Sequence, residues 1–131
     1  MKKYPILLLF ILLSVTLKAQ TATADTSLYT AAEVEPVYPG GTSAFYKFFR
    51  AYSYYPKQEK KDHIQGRVTA QFIVEKDGML SNIKIMRAPS EGLGKEVLRV
   101  LAMCPKWIPA KQDGKDVRVL YSMDLDFILK N

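Results

Sequence analysis

A chain of 131 residues that is 48% hydrophobic and 24% charged has room for one globular domain and does not fit a fibrous or low-complexity protein. The formal net charge of +6 is spread along the chain, with Lys2, Lys3 and Lys18 at its start, so no basic stripe argues for nucleic acid. The single cysteine, Cys104, excludes an intramolecular disulfide, so an exported form of the chain must stand on its hydrophobic core.

Residues 1–20 have the parts of a secretory signal: Lys2 and Lys3, an apolar run from Pro5 to Leu17, and small-residue cleavage sites at Leu17-Lys18-Ala19 and Ala22-Thr23-Ala24. As a helix that run would be about 20 Å long, short of the roughly 30 Å of a hydrocarbon core. A cleaved signal is therefore expected rather than a retained anchor. No cysteine follows the run that could carry a lipoprotein anchor. Removing the signal halves the net charge. Residues 21–32 are small and polar and read as a flexible linker. Residues 33–131 are then the folded domain.

Pro36, Pro39, Gly40 and Gly41 predict an extended segment closing in a turn. Thr42 or Ser43 is placed to cap a helix whose apolar face is Phe45, Phe48, Phe49 and Tyr52, ending before Pro56. Lys57 to Asp62 reads as a solvated turn or short helix. Val68, Ala70, Phe72 and Val74 alternate with Arg67, Thr69, Gln71, Ile73 and Glu75, the pattern of a half-buried strand. Asp77-Gly78 turns the chain into a second strand, Leu80 to Arg87, with Ile83 and Ile85 inward. Leu80 is out of phase with that pair, which predicts a bulge near the turn. After a Ser90 cap, Leu93, Val97, Val100 and Leu101 mark a second amphipathic helix, stopped by Pro105. Trp107 is placed to close one end of the core. Asp113-Gly114 leads to the last strand, where Val117, Val119, Tyr121, Met123, Leu125 and Phe127 alternate with Arg118, Leu120, Ser122, Asp124 and Asp126.

This order predicts an α+β fold: two helices on one face of a three-stranded antiparallel sheet, with residues 66–75 central and residues 117–127 at an edge. The Arg67/Gln71/Glu75 face is expected to meet water. No constellation of catalytic residues is present. His63 has no cysteine or paired carboxylate at metal-ligand spacing. Cys104 with that lone histidine makes a weak nucleophile pair. Asp124 and Asp126 lie about 7 Å apart on one strand face and read as charges that discourage aggregation rather than as an acid–base pair. Gly40-Gly41 lacks a phosphate-loop pattern. No enzyme, metal, cofactor or small-molecule substrate is expected. The edge strand could accept an extended peptide by β-augmentation. It could equally be protected by its own tail, by Asp124 and Asp126, or by a second copy of the chain in a homodimer.

Several motifs carry a resemblance. Pro36-Val37-Tyr38-Pro39-Gly40-Gly41, Tyr55-Pro56, Ile64-Gln65-Gly66-Arg67-Val68, Pro105-Lys106-Trp107-Ile108-Pro109-Ala110 and Gly114-Lys115-Asp116-Val117 occur in the order found in the TonB C-terminal domain family of Bacteroidetes type. The chain resembles that family from about Glu33 to Leu129. The resemblance implies binding of the TonB-box peptide of an outer-membrane receptor in the periplasm, as part of energy-dependent transport. It puts the peptide-binding strand at Val117, Arg118, Val119, Leu120, Tyr121, Ser122, Met123, Asp124 and Leu125, with Arg118, Leu120 and Ser122 as the side chains nearest the peptide by strand parity. The alternative is a periplasmic adaptor that uses the same edge to pair with itself or with another envelope protein. The chain departs from the family's transducers in its short apolar run and in a linker reaching only about 40 Å when extended. The proline often found in the family's last strand is Asp124 here.

Overall fold

The computed structural model describes residues 25–130. The signal read in residues 1–20 and the start of the linker lie outside the described residues. The chain runs β1 (Leu28–Tyr29), α1 (Thr42–Tyr52), α2 (Lys57–Lys61), β2 (Gly66–Val74), β3 (Leu80–Arg87), α3 (Glu91–Ala102), β4 (Ala110–Gln112) and β5 (Lys115–Phe127). The α+β architecture expected from the alternating segments is present, with β2 between β3 and β5 and antiparallel to both.

Alternation decides the core. Val68, Ala70, Phe72 and Val74 of β2 are fully buried, as are Leu93, Val97, Val100 and Leu101 of α3. From α1 come Phe45 and Phe49, and from β5 Val117, Val119, Leu125 and Phe127. Each large side chain so removed from water contributes about 1.5–3 kcal/mol before the entropy of ordering it. Trp107 closes one end of this core, its ring centroid 5.5–5.8 Å from those of Tyr38, Phe45, Phe72 and Tyr121. The Asp77-Gly78 turn docks on the same residue: the Trp107 backbone N–H donates to the Gly78 carbonyl at 2.8 Å. A second peg joins the helices. The buried Glu96 carboxylate of α3 accepts from the Tyr54 backbone N–H at 3.1 Å and pairs with Arg99, whose guanidinium also donates to the Tyr52 carbonyl.

Several expectations need correction or refinement. Among the described residues the sheet has five strands rather than three, because Ala110–Gln112 pairs with the start of β5 and Leu28–Tyr29 pairs parallel with it at Arg118 and Val119. Leu28 and Tyr29, read as linker, are therefore part of the sheet; two residues are too few to show a period. There is a third helix, the short α2. The N-cap of α1 is Gly41, with no side-chain bond, whereas Ser90 caps α3 by accepting from the Leu93 N–H at 3.2 Å. On the aromatic stripe of α1, Tyr52 is exposed, with Phe48 half-buried against its ring. Ile73, placed on the solvent face, is buried beside its cross-strand partner Leu120. The predicted irregularity near the β2–β3 turn is there: the register shifts between Gln71 and Ile73, opposite Asn82, which takes a positive φ of 48°.

Candidate functional site: the outer edge of the last strand

The sheet has two borders, and they differ. The β3 border is kinked by two register shifts against β2 and carries Lys84 and Arg87, devices that discourage an incoming strand. By contrast β5 pairs with β2 from Gly66–Phe127 to Val74–Val119 without a break. The other side of β5 is partly occupied. There β1 covers Arg118 and Val119, while β4 pairs with Lys115, Asp116 and Val117 at the start of the strand. The expectation of an edge free along its whole length is thus corrected: Arg118 and Val119 already have β1 as their outer partner. Among the described residues, no strand pairs with the outer side of β5 beyond Val119, leaving Leu120, Tyr121, Ser122, Met123, Asp124 and Leu125, with Asp126 and Phe127 after them.

The direction of the backbone groups follows from one contact. The Tyr46 hydroxyl donates to the Asp124 carbonyl at 3.3 Å, so that carbonyl points away from β2. In an antiparallel ladder, alternate residues turn both N–H and C=O to the same neighbour. Ser122, Asp124 and Asp126 therefore share the outward direction. A proline at 124, as the resemblance suggests for other chains, would cost no ladder bond there.

The side chains sort by face. On the outer face, Arg118 is held by Glu75 through two bonds of 2.6 and 3.0 Å and donates to the Thr26 carbonyl, so it braces β1 rather than facing an open edge. The Glu75 carboxyl is held below the usual carboxylate range, chiefly by Arg118 and also by the Ser81 hydroxyl. Asp126 accepts from Arg67 at 3.0 Å and Asp124 from the Thr69 hydroxyl at 2.6 Å, all near solvent. On the core face a groove runs between β5 and α1. One hollow is lined by Tyr38, Phe45, Tyr46, Trp107 and residues Tyr121 to Asp124. A second, farther along β5, is lined by Tyr46, Phe49, Arg50, Leu125 and Asp126. Burial pushes the Tyr121 hydroxyl above its ordinary pKa, so it remains a neutral hydrogen-bonding group at the groove wall.

Cys104 and His63 do not form a site. The thiol lies against the core, and burial pushes its pKa up to about 11, far from a nucleophile's range. His63 is an exposed turn residue after α2, with a positive φ of 54°. The groove residues Tyr46, Tyr38 and Trp107 were not singled out for the site by sequence reasoning. Tyr46 sits one position off the apolar stripe of α1, so helical periodicity assigns it to solvent.

The family model described as the C-terminal of the Gram-negative bacterial TonB protein matches residues 51–129. No curated protein sequence matches the chain. Among solved structures, the Pseudomonas aeruginosa TonB CTD is similar at 20% identity and a TM-score of 0.53, covering 80% of this chain and 95% of that one. A Helicobacter pylori TonB-CTD solution structure is similar at 19% identity and a TM-score of 0.51, covering 68% and 94%.

Proposed function

Since the chain belongs to the family of Gram-negative bacterial TonB C-terminal domains, we propose that it is an exported binding domain, without catalytic activity, that takes an extended peptide onto β5. The peptide is a TonB-box-like segment of an outer-membrane receptor, the place is the periplasm, and the process is energy-dependent transport across the outer membrane. The observation that carries this reading is the outer side of β5 beyond Val119, which has no strand partner among the described residues and lies beside a groove walled by aromatic rings. Added backbone pairing would supply affinity and the groove would sort alternate side chains. β1 already lies along the same strand as an extended segment, which supports the edge's ability to hold one.

The test uses proline as a directional probe. Ser122 N–H faces outward and Met123 N–H faces β2. Ser122→Pro is expected to leave the fold intact and weaken binding of a TonB-box peptide about five- to tenfold, the value of roughly one hydrogen bond. Met123→Pro is expected to disrupt the sheet itself. Amide signals followed by NMR during titration should move chiefly in residues 120–127. Shifts centred on β3, or unchanged affinity in a folded Ser122→Pro variant, would refute docking on β5.

A further inference from the structure

Two hollows lie along β5, and one side chain of α1 is common to both. Tyr46 lines both hollows, the one toward Trp107 and the one toward Arg50. Its hydroxyl is bonded to the Asp124 carbonyl, in the middle of the unpaired stretch. The two observations are independent: one concerns the shape of the groove and the other its hydrogen bonding. A strand laid along residues 120–127 would need both the space that the phenol ring fills and the carbonyl that the hydroxyl holds.

Building on the docking reading above, we infer that Tyr46 is a gate on the β5 edge. In the free domain it satisfies the Asp124 carbonyl, which makes the edge less attractive to chance partners. On docking, a backbone N–H of the visiting strand replaces the hydroxyl, and the ring leaves the groove or packs over the peptide. Tyr46 is 38% exposed on α1 and its ring lies edge-on to the buried Phe45, 5.6 Å between centroids, a contact it gives up on leaving the groove. Lost in the exchange is one neutral hydrogen bond, so the gate weakens docking modestly rather than forbidding it.

Tyr46→Phe keeps the ring and removes the hydroxyl; Tyr46→Ala also clears the groove. A synthetic TonB-box peptide from an outer-membrane receptor is titrated into isotope-labelled wild-type and variant chains. Tyr46→Phe is expected to bind about three- to tenfold more tightly, with Tyr46→Ala also tighter than wild type. The Asp124 carbonyl carbon shift should already differ in free Tyr46→Phe, and the wild-type Tyr46 ring signals should move on binding. Equal or weaker binding by a folded Tyr46→Phe variant overturns the gate while leaving docking on β5 in place. Binding by none of the three chains overturns the docking reading and the gate together.

Discussion

At Gly78 a single hydrogen atom in place of a side chain lets the β2–β3 turn meet Trp107. A Cβ there would stand 1.9 Å from the Trp107 carbonyl oxygen, and φ is +86°. Gly114 also has a positive φ, +76°, but a Cβ there would meet nothing within 4 Å. Gly114→Ala is therefore expected to cost about 1 kcal/mol from backbone conformation, and Gly78→Ala roughly 3 kcal/mol or more. Urea denaturation of the two variants separates the terms. Cys104 allows a second check at this scale. With its thiol raised to about 11, it should react with a thiol reagent at pH 8 far more slowly in the folded chain than in urea. What sequence patterning could reach here were residues whose role repeats along an element, such as Val97 or Phe72. The contact between Gly78 and Trp107 joins residues far apart in the chain, so no local pattern announces it.

Among the elements, β1 shows how a short segment is held by charge as much as by pairing. Its two-residue ladder is braced by Arg118, which donates to the Thr26 carbonyl while bound to Glu75, and by Lys76, which donates to the Asp25 carbonyl. Because Glu75 titrates lower folded than unfolded, its contribution is complete above the unfolded pKa of about 4.3 and is lost as pH falls through the lower folded value. Hydrogen-exchange protection at Tyr29 and Arg118, taken relative to the unfolded rate at each pH, should thus fall in acid well before the core opens. Glu75→Gln should show that loss of protection at neutral pH and little further change in acid. The long elements were legible because their periods repeat: β2, β5 and α3 fall where alternation and the i, i+4, i+7 spacing put them. β1 and β4 were not, since two or three residues carry no period and their pairing depends on tertiary contacts with β5.

Over the whole molecule, the arrangement of layers and the central place of β2 followed from element order and the antiparallel rule. The extent of the open edge did not, because it depends on which distant segment folds back over β5. The two borders also set what the domain can assemble into. Copies that meet through β5 would use up the one even border each possesses, and the irregular β3 side offers no template for a third. Sedimentation at millimolar concentration is expected to stop at two copies, with TonB-box peptide returning them to one; continued growth to larger species would show that β3 also pairs. A lopsided sheet of this kind has a built-in terminus. A surface that accepts one neighbour and offers it no second even border would end the stacking there, short of the repeating layers of a fibril.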